Sequence, residues 1–324
     1  MPIIDSNGRT IDYARISVTD RCNFRCVYCM PDDGVALIPH GEIMRFEDII
    51  WLARVLESLG VRHVRFTGGE PLVRRGMAEF LVLFRKEFPD MTVSLTTNAS
   101  ALLQFAPILL EARLSGMNIS LDTLDPVKFA IMTRTGNLQD VLKGIDLAAG
   151  LGIDDIKTNT VLIRGFNDTE LPDIIHFAWE KRMTPRIIEF MPVCGEIWHG
   201  EKFVGSDEIM EFISAVGDWI PVQNETKGAH GPAKYFTDLS SGQRVGVIEA
   251  VSNHFCSDCN RLRITASGNM RSCLFNNAEI PLLGMVRRRD WDEVHGAILD
   301  GISMKPEKWR DAVDGAANMS GIGG

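Results

Sequence analysis

Alternating hydrophobic patterns divide the first 190 residues into short strand-like runs and longer helix-like stretches. Strands are predicted over residues 11–18, 61–67, 91–97, 116–122, 156–163 and 185–191. Between them, apolar residues recur at three- and four-residue spacing over residues 46–59, 77–88, 101–111, 138–151 and 170–181, which indicates helices. Repeated strand–helix units predict a parallel sheet, either open or barrel-like.

The predicted strands have two faces of opposite character, because alternate side chains point to opposite sides of a sheet. One face is apolar and should lie under the helices: Ala14, Ile16, Val18, Val64, Phe66, Val93, Leu95, Ile119 and Leu121. The other face is polar and partly cationic: Arg15, Ser17, His63, Arg65, Thr67, Ser94, Thr96, Asn98, Asn118, Ser120, Asp122, Lys157 and Asn159. A closed eight-stranded barrel fills its interior with Val, Ile and Leu, so the polar face indicates a wider cavity that holds a ligand.

The number of strand–helix units, about six, falls short of a complete barrel. Beyond residue 192 the rhythm gives way to a region rich in Gly and Pro, with helices near 206–216 and 290–299 and strands near 245–251 and 262–266. The predicted fold is therefore α/β. Residues 1–191 should form an incomplete (β/α) TIM-type barrel, and residues 192–324 a C-terminal α+β layer that closes it.

Six of the seven cysteines fall into two triplets. Cys22, Cys26 and Cys29 have C-x3-C-x2-C spacing, which lets one loop hold three corners of an iron–sulfur cubane with soft thiolate ligands. A zinc site wants four ligands, and no fourth Cys or His lies beside this triplet in the sequence.

The second triplet has two interpretations. Cys256, Cys259 and Cys273 have C-x2-C-x13-C spacing, and His254 stands two residues before the first of them. Zinc in a Cys3His site and an iron–sulfur cluster both fit this spacing. The remaining Cys194 is interpreted as a thiol without a ligand, because cysteine behaves as a small hydrophobic residue.

The overall charge is acidic, since 34 Lys and Arg against 43 Asp and Glu give a formal net charge of −9. A nucleic-acid binder gains affinity from positive surface that releases phosphate counterions, so no nucleic-acid partner is expected. Apolar runs fall far short of the ~20 residues of a membrane span. Residues 1–10 show no basic region followed by an apolar core, so we expect a cytoplasmic protein with no membrane contact.

Two motifs resemble those of the radical S-adenosylmethionine superfamily. The loop that carries the first triplet follows the first strand and has an aromatic residue, Tyr28, before its last cysteine. Thr67-Gly68-Gly69-Glu70-Pro71 ends the second strand and is similar to the superfamily's GGEP motif. Further positions are similar to the GTP 3′,8-cyclase family of molybdenum cofactor biosynthesis: Arg15, Arg65, Thr96, Ser120, Lys157, Cys256, Cys259, Arg261, Arg263, Cys273, Gly323 and Gly324.

The resemblance implies two [4Fe-4S] clusters, one on each cysteine triplet, and S-adenosylmethionine as cofactor. The free iron of the first cluster would bind the amino and carboxylate groups of S-adenosylmethionine, whose reductive cleavage gives a 5′-deoxyadenosyl radical. That radical would take the ribose C3′ hydrogen of GTP, and C3′ would attack guanine C8 to give 3′,8-cyclo-7,8-dihydro-GTP. The second cluster would hold the guanine, which shifts our interpretation of the second triplet from zinc toward iron–sulfur.

The resemblance also assigns binding residues. Contacts to S-adenosylmethionine are expected from Tyr28, Gly68, Gly69, Glu70, Ser120 and Met191. Contacts to GTP are expected from Arg15, Arg65, Thr96, Lys157, Arg186, Arg261 and Arg263, of which Arg261 and Arg263 are the candidate catalytic residues. Physical chemistry agrees, because a triphosphate needs several fixed cations and the chain has no G-x-x-x-x-G-K loop.

The expected partners are GTP, an external electron donor such as flavodoxin or ferredoxin, and the downstream cyclic pyranopterin monophosphate synthase. Monomer and homodimer both stay open. One rival function is a radical enzyme that acts on a peptide or another small molecule, with the second cluster in electron transfer. The other rival is a zinc-stapled nucleotide-binding module without enzymatic activity.

Two further features carry expectations. The resemblance implies that Gly323 and Gly324, which lack side chains, enter a narrow crevice near the ligand, so residues added after them should lower activity. His63 stands where relatives often have Lys, so GTP affinity should vary with pH across the His titration range.

Overall fold

Fourteen strands and nine helices lie within residues 2–31, 33–192, 199–222, 231–308 and 322, which are the residues that this computed structural model describes. Cys194, Gly323 and Gly324 lie outside these residues, so the expectations for them stay predictions. Every helix in the described part of the chain is too short or too polar to cross a bilayer.

The N-terminal part begins with a two-stranded ribbon and continues as alternating strands and helices. The ribbon consists of β1 (Ile3–Ile4) and β2 (Thr10–Ile11). The next strands are β3 (Tyr13–Ser17), β4 (His63–Thr67), β5 (Thr92–Thr97), β6 (Gly116–Ser120), β7 (Ile156–Leu162) and β8 (Thr184–Glu189). The helices are α1 (Phe46–Ser58), α2 (Met77–Glu87), α3 (Leu102–Ala112), α4 (Pro126–Thr133), α5 (Leu138–Ala149) and α6 (Leu171–Glu180). All six strands and five helices predicted for this part are confirmed, each end within two residues.

The C-terminal part contains three helices and six strands. The helices are α7 (Ser206–Ser214), α8 (Leu283–Arg288) and α9 (Trp291–Ser303). The strands are β9 (Trp219–Pro221), β10 (Lys234–Asp238), β11 (Arg244–Ile248), β12 (Arg261–Ile264), β13 (Asn269–Arg271) and β14 (Ile280–Pro281). The sequence predicted α7, α9, β11 and β12 but missed α8 and the other four strands, three of which have only two or three residues.

The C-terminal part is joined to the barrel through the sheet itself. Strands β3 to β8 pair in parallel in chain order, β12 adds in parallel beside β3, and β11 adds in parallel beside β8. Antiparallel strands β13 and β14 extend one edge, and β10 and β9 extend the other. The sheet is thus a partial barrel that is not closed by pairing of its two edge strands, as expected for an incomplete (β/α) TIM-type barrel.

Helix α4 shows why one helix of the N-terminal part escaped prediction. Its start carries clear signals, since the Asp125 carboxylate accepts hydrogen bonds from the amides of Val127 and Lys128, and Pro126 occupies the first turn. However, Val127 and Ile131 are mostly exposed, so the apolar residues of this short helix do not mark one buried face.

The predicted division of strand faces is confirmed. The apolar set from Ala14 to Leu121 is at most 1% exposed and forms the main core with the surrounding helices. Phe66 packs edge-on against Phe80 and Phe84 of α2, with ring centroids 5.2 and 4.9 Å apart. Because this face is fully used for packing, the polar face is left to line the inside of the barrel.

Candidate active site

The inside of the barrel contains two compartments. The first has a volume of about 200 Å³ and is lined by Cys22, Cys26 and Cys29. The second has a volume of about 150 Å³ and is lined by Cys256, Cys259 and Cys273. Three residues line both compartments: Asn159, Ile188 and Met191. The two triplets, 227 residues apart at their nearest members, therefore face adjacent compartments that share part of their wall.

The first triplet lies on the loop that follows β3. The Cys29 and Met30 amides both donate to the Cys26 carbonyl, at 2.9 and 3.2 Å, so the loop turns sharply between the last two cysteines. Burial raises the pKa of the Cys22 thiol to about 11 and that of Cys26 well above its usual range. Without a bound metal these thiols keep their protons, and a metal must displace them.

The Gly-Gly-Glu segment after β4 is joined to this loop by backbone contacts. The Gly69 amide donates to the Thr19 carbonyl and the Glu70 amide donates to the Arg21 carbonyl, both at 2.8 Å. A Cβ on Gly68 would lie 2.5 Å from the Thr19 oxygen, and a Cβ on Gly69 would lie 2.3 Å from the Arg21 oxygen. Glycine is required here because two backbone segments meet without space for a side chain.

Glu70 is a buried carboxylate that lines the first compartment. One oxygen accepts from the Leu72 amide at 3.1 Å and from the Thr97 hydroxyl at 2.8 Å, and the other accepts from the Asn98 amide at 2.6 Å. Burial raises the pKa of Glu70 to about 7 although these donors work to lower it. The carboxylate therefore orders the ends of β4 and β5 as well as facing the cavity.

Asp122 is a residue of this compartment that the site prediction missed. Its carboxylate accepts from the Tyr28 hydroxyl at 2.8 Å and from the Val161 amide at 2.8 Å, and burial raises its pKa to about 6. The signal was present in the sequence, because Asp122 belongs to the predicted polar face, but no motif singled it out. It fixes the side chain of Tyr28, which was expected to contact S-adenosylmethionine.

Ser120, Met191 and Thr96 also line the first compartment. The first two were expected there. Thr96 was expected to contact GTP with Arg15 and Arg65, yet it does not line the second compartment. Its hydroxyl is buried without a hydrogen-bond partner among the described residues, so it is available to a ligand in the first compartment.

A row of arginines crosses the wall of the second compartment. Arg263 on β12 is the register partner of Arg15 on β3, and Arg15 is the register partner of Arg65 on β4. Neighbouring strands are about 4.8 Å apart, and like charges directly opposite each other are destabilising. Burial, followed by the charge of Arg261, lowers the pKa of Arg263 to about 10, while burial and Arg263 lower that of Arg15. The arrangement favours an anion between these side chains.

The second triplet lies beside a buried lysine that the sequence analysis missed. The Lys305 ammonium donates to the carbonyls of Arg261 and Ser272, at 2.8 and 2.6 Å. Burial works to raise the pKa of the Cys259 thiol, but Lys305 and Arg261 outweigh it and lower that pKa to about 6. Because Lys305 belongs to no motif and follows α9, only the folded chain reveals it next to Cys259.

Arg186 and Lys157 were both expected to contact GTP, but they occupy different positions. Arg186 lines the second compartment and donates through Nε to the Asn159 side chain at 2.9 Å. Lys157 is buried and its ammonium contacts the Asp155 carboxylate. It lines neither compartment in the described part of the chain. Burial, followed by the charge of Arg186, lowers the pKa of Lys157 to about 8.

The donor sets suit clusters better than single ions. Within the described residues, no three His, Cys, Asp or Glu side chains are close enough to hold one metal ion, although His254 lines the second compartment beside its triplet. A cubane needs a wider spacing of thiolates than zinc, because each thiolate binds a different iron. Each triplet supplies three soft donors facing a cavity, which fits such a group.

Two family models match the chain. The model of the Radical SAM superfamily matches residues 16–178, and the model named Molybdenum Cofactor Synthesis C matches residues 183–311. Together these matches include both cysteine triplets.

Curated relatives named GTP 3′,8-cyclase are similar over nearly the whole chain. The protein of Pelotomaculum thermopropionicum is 42% identical and that of Thermodesulfovibrio yellowstonii 39% identical, each over 99% of both chains. The protein of Geobacter sulfurreducens is 41% identical over 95% of this chain and 94% of its own.

Solved structures share the fold. Streptococcus suis SuiB bound to precursor peptide SuiA has a TM-score of 0.62 and 14% identity, covering 92% of this chain and 71% of SuiB. SuiB bound to S-adenosylmethionine has a TM-score of 0.61 and 14% identity, covering 93% of this chain and 73% of SuiB. At this identity the likeness concerns the fold alone.

Proposed function

The chain belongs to the GTP 3′,8-cyclase family of the radical S-adenosylmethionine superfamily, and on this premise we propose that the two joined compartments form its active site. It is an enzyme that converts GTP to (8S)-3′,8-cyclo-7,8-dihydroguanosine 5′-triphosphate, the first step of molybdenum cofactor biosynthesis. Two [4Fe-4S] clusters and S-adenosylmethionine are its cofactors.

One observation supports this proposal: the two triplets face adjacent compartments that share Asn159, Ile188 and Met191 in their walls. A radical made at one metal centre reaches a substrate held at another only if both open into the same water-poor space. Ile188 and Met191 supply apolar surface at the junction, which limits water around the reacting atoms.

The first compartment is proposed to hold the cofactors through Cys22, Cys26 and Cys29. When bound, the cluster and S-adenosylmethionine would supply a 5′-deoxyadenosyl radical able to take the C3′ hydrogen of GTP. Bonding of C3′ to guanine C8 would leave a nucleotide radical, which one further electron and a proton would convert to the dihydro product. The backbone at Gly68 and Gly69, the Glu70 carboxylate, and the side chains of Ser120 and Met191 are proposed to orient S-adenosylmethionine. Tyr28 is positioned for the same task by its hydrogen bond to Asp122.

The second compartment is proposed to hold GTP. Arg15, Arg65 and Arg263 form a row whose mutual repulsion a triphosphate would relieve, and guanidinium groups match phosphate oxygens in pairs. Arg186 and Arg261 line the same space and extend this cationic wall. Arg261 and Arg263 are the proposed catalytic residues, since they would touch the substrate and fix C3′ relative to the radical. Contacts from Thr96 and Lys157 are proposed as weaker ones.

The second cluster is proposed to lie on Cys256, Cys259 and Cys273, where it would bind the guanine. Cationic neighbours favour the thiolate form that a metal requires, and Lys305 and Arg261 supply them at Cys259.

The proposed boundary between the barrel and the C-terminal part stays near residue 191.

Reaction chemistry sets the proposed partners. Reductive cleavage consumes one electron, which flavodoxin or ferredoxin would supply, and cyclic pyranopterin monophosphate synthase would consume the product. We propose a cytoplasmic location, where thiols stay reduced.

Anaerobic reconstitution tests the proposal. Protein loaded with iron and sulfide is incubated with dithionite, S-adenosylmethionine and each nucleoside triphosphate in turn, and 5′-deoxyadenosine is measured. We expect release that depends on GTP, together with the cyclised nucleotide. Release that does not depend on GTP, or that a peptide supports instead, would contradict the assignment.

A further inference from the structure

A cationic cavity opens on the outer surface next to the first cysteine triplet. It has a volume of about 550 Å³, and we call it the basic cavity. Its basic lining residues are His40, Arg21, Arg45, Arg74, Arg75 and Arg287. No Asp or Glu is among its described lining residues, although the chain as a whole has a net charge of −9. Such a concentration of positive charge attracts a negatively charged partner.

The basic cavity adjoins the metal-binding loop from outside. Arg21 precedes Cys22 in the chain, and the Arg21 carbonyl accepts the Glu70 amide at 2.8 Å. From Glu70 the chain continues through the one-turn helix Pro71–Val73 into Arg74 and Arg75. One short stretch of chain thus faces the first compartment with Gly68 to Glu70 and the basic cavity with its next residues.

Parts of the basic cavity are rigid. The Arg74 guanidinium donates to the carbonyls of Val18 and Met44, at 2.5 and 2.7 Å, and lies 4.0 Å from the centre of the Phe46 ring. Arg287 donates to the Gly41 carbonyl at 2.7 Å. The carbonyl contacts leave the charge of Arg74 without a contacting carboxylate, whereas the Asp48 carboxylate lies 3.0 Å from Arg45 and 3.8 Å from Arg287 and offsets one of the positive charges.

Other parts are available to a partner. Arg75 is exposed, and its guanidinium makes no hydrogen bond or ion pair within the residues that the structure describes. Val73, which also lines the basic cavity, is 39% exposed. An exposed apolar residue beside exposed arginines is typical of protein-binding surfaces, where a small apolar centre has a polar rim.

We propose that the basic cavity is the docking surface for an acidic one-electron carrier protein. This inference rests on the proposed function, because that reaction requires an electron from outside the active site. The carrier loses one electron and the cluster of the first triplet gains it. No bond forms or breaks in that transfer, and no proton moves.

Direct binding is the first test, because it does not depend on turnover. Oxidised flavodoxin and oxidised ferredoxin are titrated separately against the reconstituted enzyme, and binding is followed by fluorescence anisotropy of a labelled carrier. Arg75→Glu reverses one exposed charge of the basic cavity. Its matched control, Arg113→Glu, makes the same change at an exposed arginine that precedes β6 at the other end of the barrel.

We expect Arg75→Glu to weaken binding of the carrier by about 10-fold and to reduce its salt dependence, since charges at an interface act through long-range attraction. Adding His40→Glu should weaken binding further, and Arg113→Glu should change it by less than about 2-fold. Equal effects of Arg75→Glu and Arg113→Glu would overturn the proposal. Binding of neither carrier to the wild-type enzyme would overturn it as well.

Turnover separates this inference from the proposed function. Release of 5′-deoxyadenosine driven by a reduced carrier should fall in Arg75→Glu, whereas release driven by excess dithionite should match the wild type. A fall with both reductants would show that Arg75 serves the reaction itself and would overturn the docking assignment. If dithionite drives no release in the wild type, the proposed function fails while the binding titration still decides docking.

A small-anion site is the competing interpretation of the basic cavity. Calorimetric titration with inorganic phosphate addresses it in the wild type and in Arg75→Glu. Phosphate binding lost in Arg75→Glu while carrier binding is unchanged would overturn the proposal. Carrier binding lost in this variant while phosphate does not bind the wild type would support it.

Discussion

Backbone contacts between neighbouring loops hold the wall of the first compartment together. The wall of the second compartment is held together by side chains from distant parts of the sequence. In the first, the Gly69 and Glu70 amides bind the carbonyls of Thr19 and Arg21. In the second, the Arg9 guanidinium donates to the Cys256 carbonyl at 2.8 Å, across 247 residues of sequence. The first compartment thus requires glycines, which have no side chain, whereas the second compartment requires particular side chains.

This difference has consequences for assembly. Backbone-to-backbone contact leaves no room for adjustment, so the first compartment should tolerate no added atom at its glycines. The second compartment instead brings together buried cations that repel each other, so it should be held in place by packing and completed by its ligands.

The largest effect is expected for Gly69→Ala. The added Cβ would lie 2.3 Å from the Arg21 carbonyl oxygen. This clash must push the Gly-Gly-Glu segment away from the loop that carries the first cysteine triplet. We expect cluster incorporation to fail and GTP-dependent release of 5′-deoxyadenosine to fall by more than about 100-fold. The control is Gly296→Ala in α9, where a Cβ meets nothing within 4 Å and helix propensity improves. Normal iron content in Gly69→Ala would contradict the role of close backbone contact.

Cys256→Ala should divide the two compartments functionally. Affinity for S-adenosylmethionine should stay within about 2-fold of the wild type, while formation of the cyclised product falls by about 100-fold or more because a metal ligand is lost. Isothermal titration and product chromatography measure the two effects. Product formation at the wild-type rate would show that the second triplet is dispensable.

Arg263→Met tests the arginine row. Removing one charged phosphate contact should cost about 2 kcal/mol of GTP binding, which corresponds to about 30-fold in affinity. The melting temperature without ligand should fall less than in a variant that loses only favourable contacts, because a buried repulsion with Arg15 is removed as well.

Arg271→Met is the control for Arg263→Met. The Arg271 side chain donates to the Asn276 carbonyl and is 3% exposed in total, so this variant should melt at a lower temperature. A lower melting temperature in Arg263→Met together with unchanged GTP affinity would show that Arg263 is a structural residue.

The smallest effect concerns Lys157. Its pKa, lowered to about 8, means that the ammonium is charged below pH 8 and neutral above it. GTP affinity should therefore fall a few-fold as pH rises from 7 to 9, and Lys157→Met should remove this dependence. If the pH dependence of GTP affinity persists in Lys157→Met, another group is responsible for it. A change in GTP affinity confined to pH 6–8 would indicate His63.

Sequence patterns predicted the barrel well because they report on local physics. Period-2 alternation separates Val64 and Phe66 from Arg65 in any strand with one buried face, and the structure confirms that division. Helix α4 was missed because its exposed Val127 and Ile131 break the apolar pattern. Lys305 was missed because a single lysine near the end of a chain carries no pattern.

The sequence by itself determined the cysteine spacing, the glycines of the close loop contact and the polar face of the barrel strands. Each of these depends on residues that are near in sequence, so local spacing is enough to reveal it. Only the tertiary structure decided that Arg263 lies beside Arg15, and that β12 and β11 add to opposite edges of the sheet. Pairing of strands that are far apart in the sequence is set by the packing of the whole chain, which no local pattern encodes.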